Sequence, residues 1–154
     1  MTKTGAGFAR GKSKQNYATP PDFMLAVEKR FGSINFDLAA EAENAKHANY
    51  FTALDNSLVQ EWHKIPGILW LNPPFSRIEP WAKKCADEAK LGARILFLVP
   101  AAVGANWFRD HVHRQALVLA LNGRISFDLI APYPKDCVIV CYGFGVGFDT
   151  WTWK

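Results

Sequence analysis

Residues 67–100 read GILWLNPPFSRIEPWAKKCADEAKLGARILFLVP: a buried run, a proline-containing motif, an amphipathic segment and a second buried run. Gly67–Leu71 and Arg94–Pro100 are largely apolar, which predicts strands buried on both faces. One apolar helical face between them is marked by Ile78, Trp81, Ala82, Cys85, Ala86 and Ala89. Ser76 is placed to cap this helix and Gly92 to end it. Strand, helix and strand in this order predict parallel strands with the helix packed on the sheet.

The rest of the chain continues the alternation of strands and helices. Thr19, followed by prolines, predicts the capped start of a helix that Gly32 ends. Further strands are predicted at 33–38, 116–121 and 137–142, the last of these as the final strand, and a further helix at 105–114. The predicted fold class is therefore α/β, with a mostly parallel central sheet covered on both faces. Ligands of such sheets bind beyond the carboxyl ends of the strands, where Asp37 and Asn72 fall.

The positive charge of the chain is concentrated near its N-terminus. Lys3, Arg10, Lys12 and Lys14 precede the first acidic residue, and the remaining Lys and Arg balance the 14 Asp and Glu, which leaves the net charge of +4 on this segment. We predict a flexible basic arm over 1–15, suited to phosphate contacts, followed by one domain over 16–154. A merely solubilising terminus is the alternative interpretation.

Composition excludes several classes of protein. With 154 residues, 49% hydrophobic and 21% charged, the chain is long and apolar enough for a single core and is not typical of disorder. Cys85, Cys137 and Cys141 lack metal-ligand spacing, and the histidines form no metal pattern, so we expect no metal. Neither a signal peptide nor a membrane-spanning run is recognisable, so the expected location is the cytoplasm. Glycine-rich dinucleotide and P-loop motifs are also missing.

The tetrapeptide Asn72-Pro73-Pro74-Phe75 is the most informative motif. Methylation of an exocyclic amine needs two acceptors on the amino hydrogens, which localise the nitrogen lone pair and aim it at the methyl donor. The Asn72 side-chain oxygen and the Pro73 carbonyl can be these acceptors, held in place before reaction by a proline-stiffened loop. Phe75 offers a face on which a flipped base can stack, worth ~1–3 kcal/mol. An ordinary strand-ending turn is the competing interpretation.

Two carboxylates are further candidates for ligand binding. Asp37, at a strand end, can bind hydroxyl or ammonium groups of a nucleoside-like cofactor, or it can cap the next helix. Asp55 can accept a hydrogen bond from the adenine amino group of a cofactor, or Asp55-Asn56 can simply be a turn. The residue pattern leaves both alternatives open.

Four segments, in order, resemble one known family. They are Tyr17–Pro21; Phe36–Ala40 with Glu43–Lys46; Tyr50–Thr52 with Asp55–Leu58 and Trp62; and Trp70–Phe75, and the pattern continues at Val99–Ala101, Trp107-Phe108 and Gly123–Phe127. With these motifs the chain resembles the phage and prophage DNA N6-adenine methyltransferases of the Dam type, over residues 17–145.

The resemblance implies a single compact Rossmann-like domain that uses S-adenosylmethionine to methylate adenine N6 in double-stranded DNA. The catalytic loop would consist of Asn72, Pro73, Pro74 and Phe75. The cofactor would be held by Thr19, Pro20, Asp37, Ala39, Ala40 and Asp55. Asp55 would contact its adenine, and Thr19 and Pro20 would lie near its methionine end. Asn44 and Lys46 match family positions of unknown role, although Lys46 can meet a phosphate or the cofactor carboxylate.

DNA contacts and sequence preference are expected outside the catalytic loop. The predicted DNA-contacting cations are Arg10, Lys12, Lys14, Arg77 and Arg124. The chain leaves no room for a separate target-recognition domain, so a short or weak sequence preference is expected. It would come from loops at 76–80, 101–106 and 128–136 and from the arm.

The chain departs from the family pattern at two places. Phe75 stands where many amino-methyltransferases have tyrosine, and Ala39-Ala40-Glu41 replaces the glycine-rich cofactor loop of larger methyltransferases. The same tetrapeptide also serves cytosine N4 and protein glutamine methylation, and a DNA-binding module that has lost the chemistry is a further alternative. The basic arm favours nucleic acid over protein as the substrate, and the intact Asn72, Phe75, Asp37 and Asp55 argue against a module that has lost the chemistry; the choice of adenine is what the family resemblance implies. Kinship suggests a phage or prophage role in protecting viral DNA from restriction.

Overall fold

In the computed structural model, residues 18–127 and 131–154 form a six-stranded sheet with helices on both faces. The helices are α1 (Pro21–Phe31), α2 (Glu79–Lys90) and α3 (Asn106–His111), and the strands are β1 (Ile34–Asp37), β2 (Ile68–Leu71), β3 (Arg94–Pro100), β4 (Leu117–Asn122), β5 (Cys137–Tyr142) and β6 (Gly147–Thr152). Short 3-10 helices at 53–55, 57–59 and 62–64 lie between β1 and β2. The predicted basic arm, with Arg10, Lys12 and Lys14, lies outside the described residues.

The strands follow the order β1-β2-β3-β5-β4-β6 across the sheet. The pairs β1/β2, β2/β3 and β4/β6 are parallel, whereas β5 runs antiparallel to both of its neighbours, β3 and β4. The predicted α/β class with a mostly parallel sheet is therefore confirmed, with β5 as its antiparallel member. The apolar pattern of β5 did not reveal this direction, because a strand buried on both faces reads the same way in either orientation.

The prediction that 137–142 is the last strand was wrong, because β6 follows it. This edge strand pairs in parallel with β4 from Gly147 to Thr152, and most of its residues are exposed. It also contains glycine and aspartate, which are depleted in strands, so its sequence lacks the apolar signal of the inner strands. Its Trp151 packs 6.0 Å from the ring of Phe23 and so anchors the edge to α1.

Two apolar layers lie on the two faces of the sheet. Alternate residues of β3 serve each layer: Phe97 packs in the layer under α2 and α3, and Leu96 and Leu98 pack in the layer under α1. This explains the continuous apolar runs of β2, β3 and β5, since these three strands are buried on both sides. The three cysteines are all buried.

The helix starts differ from the predicted caps. The N-caps are Pro20 for α1 and Ile78 for α2, and neither makes a side-chain capping bond. The predicted caps Thr19 and Ser76 were therefore wrong. Both helices instead carry a proline in the first turn, where the missing N–H costs little because a backbone N–H at that position has no partner within the helix. Gly32 does end α1, at φ +104°. None of the helices in the described part of the chain is long and apolar enough to cross a membrane.

Candidate active site

The carboxyl ends of β1 and β2 lie side by side and open into one cavity. Register pairs Asp37 with Trp70, and Asn72 follows directly after β2. The cavity encloses about 330 Å³, within the size range of small-ligand pockets. The predicted site residues that line it are Thr19, Asp37, Ala39, Ala40, Asn72 and Pro74. The structure therefore brings together both strand-end residues and most of the residues assigned to the cofactor.

The backbone that follows β1 is held on both sides. On one side the N–H of Leu38 donates to the carbonyl of Trp70 at 2.8 Å. On the other, the N–H of Ala40 donates to the carbonyl of Phe51 at 2.9 Å. The small side chains of Ala39 and Ala40 therefore form a fixed wall of the cavity.

Asp37 is a buried carboxylate at the cavity, with only 3% of its surface exposed. It accepts hydrogen bonds from the backbone N–H of Ala39 at 3.2 Å and of Lys46 at 2.9 Å. Burial raises its pKa to about 6, although these two amides and the Lys46 ammonium act in the opposite direction. The alternative that Asp37 caps a following helix was wrong, because the segment after β1 is a turn-rich loop.

Asn44 and Lys46, the two family-matching positions of unknown role, both lie in the loop after β1. Asn44 accepts the N–H of Glu41 at 2.8 Å through its side chain and closes the turn. Lys46 lines the cavity and fixes Asp37 through its backbone. Burial lowers the pKa of Lys46, and the nearby Asp37 carboxylate opposes that shift. Asp37 and Lys46, two residues of opposite charge, thus line the same cavity.

The side chain of Asn72 is anchored by Thr19. Its Nδ2 donates to the Thr19 Oγ1 at 2.8 Å, and Thr19 is 2% exposed. This contact uses one of the two N–H donors of the amide, and the oxygen at the other end of the amide is an acceptor. Pro73, the next residue of the predicted catalytic loop, is buried.

Phe75 does not line the cavity. Its ring packs with Phe127 at 6.1 Å and with Tyr133 at 5.9 Å, and these two rings lie 5.5 Å apart at right angles. The loop from Asn72 to Phe75 therefore has the cavity at its start and an aromatic group at its end. Phe127 and Tyr133 were not predicted as site residues.

Asp55 and Pro20 also do not line the cavity. The Asp55 carboxylate accepts the backbone N–H of Thr52 at 2.8 Å and contacts its hydroxyl at 3.2 Å, which is the turn interaction. The neighbours of Asp55 reach the cavity instead: Thr52, Ala53, Asn56, Ser57 and Leu58. The buried Trp62 anchors this segment, since its Nε1 donates to the carbonyl of Ser57 at 2.9 Å.

Trp81 is a further lining residue that the sequence analysis assigned only to a helix face. Its ring stacks on Trp62 with centroids 6.4 Å apart. A helical apolar face gives no indication of which of its members ends beside a cavity, so no sequence signal distinguished Trp81.

The predicted DNA-contacting cations divide into different settings. Arg77 is exposed two residues after Phe75, the end of the predicted catalytic loop. Arg124 braces its own loop instead: its guanidinium donates to the carbonyl of Pro134 at 2.6 Å and pairs with Asp136 at 3.2 Å. Within residues 18–127 and 131–154, no group of three His, Cys, Asp or Glu side chains is arranged to hold a metal ion.

Comparison with known proteins agrees with the resemblance. The chain matches the family model described as DNA N-6-adenine-methyltransferase (Dam) over residues 9–137. It is 27% identical over 113 residues to the DNA N-6-adenine-methyltransferase of Escherichia phage T1, covering 73% of this chain and 47% of that protein. It is 26% identical over 120 residues to the DNA N-6-adenine-methyltransferase of Haemophilus phage HP1 (strain HP1c1), covering 75% of this chain and 68% of that protein. The aligned part thus spans about half the length of the phage T1 protein. Because the family match covers most of its length, the chain belongs to the DNA N-6-adenine-methyltransferase (Dam) family.

Proposed function

We propose that this chain is a Rossmann-like methyltransferase that transfers a methyl group from S-adenosylmethionine to N6 of adenine in double-stranded DNA. The observation that carries the proposal is that Asn72, at the end of β2, borders the same cavity as Asp37 and Lys46. The candidate amine-binding loop thus adjoins a cavity that is lined by one acidic and one basic residue. Adenine is favoured over cytosine by the names of the phage relatives.

The cavity suits S-adenosylmethionine by its chemistry. The methionine part of the cofactor carries an ammonium and a carboxylate, and Asp37 and Lys46 present the opposite charges. Small side chains and the Trp81 ring provide apolar surface for the adenine. When bound, the cofactor supplies an electrophilic methyl group on a sulfonium. Pro20 and Asp55 stay proposed cofactor contacts because they adjoin lining residues.

The catalytic loop would orient the target amine. In this proposal the Asn72 side-chain oxygen and the Pro73 carbonyl accept the two N6 hydrogens and direct the nitrogen lone pair toward the methyl group. The cysteines take no part as nucleophiles. Burial raises the pKa of Cys137 and of Cys141 to about 12 and that of Cys85 well above its usual value, so these thiols stay protonated.

The aromatic group would receive the flipped base. Phe75 is partly exposed and adjoins the two proposed acceptors, so its ring can stack on a base whose amino group they hold. Phe127 and Tyr133 fix the Phe75 ring from two sides. We propose Arg77 as a phosphate contact, and we assign Arg124 to holding its loop.

The test is a methylation assay on the full chain. Unmethylated DNA and methyl-labelled S-adenosylmethionine are incubated with the purified protein, and the DNA is digested to nucleosides for mass spectrometry. N6-methyl-2′-deoxyadenosine is the expected product. N4-methyl-2′-deoxycytidine would contradict the choice of base. An unlabelled digest, with cofactor binding shown separately, would contradict DNA as the substrate.

The Asn72→Ala variant tests the assignment of the catalytic loop. Turnover should disappear because one of the two acceptors is lost, while the affinity for S-adenosylmethionine stays nearly unchanged. The cofactor affinity of the same variant is the control for folding. Near-normal turnover in Asn72→Ala would contradict the assignment of this residue.

A further inference from the structure

We infer that Thr19 is a positioning residue that holds the Asn72 amide for catalysis, an inference that rests on the proposed function. The two residues are 53 positions apart in the chain, yet Asn72 Nδ2 donates to Thr19 Oγ1 at 2.8 Å. Thr19 is almost completely buried. The contact joins the segment before α1 to the end of β2, the two elements that meet at this side of the cavity.

The Thr19 hydroxyl is not used to begin α1. The N-cap of that helix is Pro20, and no side chain makes a capping bond there. The Thr19 hydroxyl makes no capping bond to its own helix and instead bonds to Asn72, a residue of the proposed catalytic loop. We therefore assign its effect to that loop. This distinguishes Thr19 from an ordinary residue at the start of a helix.

The physical effect is on the orientation of the Asn72 amide. The two ends of an amide have nearly the same shape, but only the oxygen end accepts the hydrogens of an amine. The bond to Thr19 engages one N–H of the nitrogen end and restrains rotation of the side chain, which fixes the plane of the amide before a base binds. Without the hydroxyl, the amide loses this restraint and its nitrogen loses a buried partner.

The Thr19→Val variant keeps the shape of the side chain and removes the hydroxyl. We expect a fall in kcat of about 3- to 10-fold at saturating substrates, the loss of one neutral hydrogen bond. Thr19→Ser, which keeps the hydroxyl, should restore most of the rate. Thr150→Val, the same change on the exposed edge strand β6, is the matched control and should leave kcat unchanged.

A cofactor contact is the competing role, because Thr19 also lines the cavity. The two roles separate by kinetics: positioning lowers kcat, whereas a cofactor contact raises the Kd for S-adenosylmethionine. A loss confined to that Kd, or an unchanged kcat in Thr19→Val, would overturn the inference. Thr19→Ala must show the same fall in kcat if the valine variant does not fold.

A second readout does not depend on activity. The side-chain NH2 signals of Asn72 in a ¹⁵N-labelled sample are assigned by their loss in Asn72→Ala. In Thr19→Val these signals should shift and their order parameter should fall, while Thr19→Ser keeps them. If the wild-type chain does not methylate DNA, the proposed function fails, and this measurement still decides whether Thr19 restrains Asn72. Unchanged signals in Thr19→Val would refute the restraint.

Discussion

Lowering the pH from 7 to 5 should weaken the binding of S-adenosylmethionine about tenfold, because Asp37 takes up a proton in this range. Burial raises the pKa of this carboxylate from 3.8 to about 6 in the free protein. Only its charged form attracts the ammonium of the ligand. With a pKa of 6, the apparent Kd rises by a factor of 1 + 10^(6 − pH), which is about 1.1 at pH 7 and about 11 at pH 5.

Isothermal titration of the full chain with S-adenosylmethionine at pH 7, 6 and 5, without DNA, measures this dependence. Asp37→Asn should bind more weakly at pH 7 and lose the pH dependence. Asp149→Asn, an exposed aspartate on β6, is the matched control and should retain it. His47 contributes a nearby charge to Asp37, so His47→Gln tests whether the histidine is responsible; it should keep the dependence. A wild-type Kd that is constant from pH 7 to 5, or a dependence that survives in Asp37→Asn, would refute the reasoning.

The same shift has a consequence for stability, and its sign is opposite to that of most carboxylates. Because the folded state binds the Asp37 proton more tightly than the unfolded chain, the free energy of unfolding falls as pH rises from 3.8 to about 6. This difference between the pKa values of Asp37 in the unfolded and folded states lowers the free energy of unfolding by about 3 kcal/mol at pH 7. The ammonium of bound S-adenosylmethionine would offset part of the free energy lost by burying the Asp37 charge. The ligand should therefore raise the melting temperature more at pH 7 than at pH 5.

Glu88, the catalytic loop and the arm each allow a further test. Burial opposes the charge on Glu88, but hydrogen bonds from Lys84 and His63 hold the pKa of this carboxylate below its usual value. Glu88→Gln should therefore lower the free energy of unfolding in urea by about 1–3 kcal/mol at pH 7. The difference in the free energy of unfolding between the wild type and Glu88→Gln should narrow in acid as the wild-type carboxylate protonates. Equal stabilities of the two proteins at pH 7 would contradict this prediction. Phe75→Leu should lower kcat/KM for DNA about 5- to 100-fold through lost base stacking, with the cofactor Kd unchanged; a raised Kd would instead assign Phe75 to the cavity. Deleting 1–14 should weaken DNA binding in salt titrations and reduce the slope of log K against log salt by up to about 3–4, and an unchanged slope would mean that the arm contacts no phosphates.

The position of the site was predictable because it depends on strong, long-range rules. Continuous apolar runs marked β2 and β3, a short strand ending in an acid was predicted at 33–38, and neighbouring parallel strands end at one edge of a sheet. Asp37 and Asn72 were therefore expected at the same edge, and they line one cavity there. The burial of both faces of β3 followed from the same pattern.

The strand direction of β5, the edge strand β6 and several residues around the site could not be predicted, because they depend on tertiary contacts that the local sequence pattern does not encode. The direction of β5 is set by its neighbours in space, and the edge strand β6 has too few buried residues to show an apolar period. The 3-10 segments that line the cavity are held by Trp62, which reads only as a core residue. Loop residues such as Phe127 and Tyr133 meet Phe75 only after the chain has folded back.

Thr19 and Asp55 show what decides the partner of a polar side chain in this molecule. Thr19 was expected to cap α1, but Pro20 occupies the N-cap, so Thr19 lies one residue too early and its hydroxyl meets Asn72 instead. For Asp55 both a ligand contact and a turn were open, and the turn contact is present, because Asp55 follows Thr52 by three residues, the spacing at which an acid closes a turn on a threonine. Only for Asp55 does the spacing in the sequence indicate the partner, since the contact between Thr19 and Asn72 joins residues 53 positions apart. Asp37 is the contrasting case, because its two backbone bonds do not offset its burial, and so it is the carboxylate with most to gain from a cationic ligand.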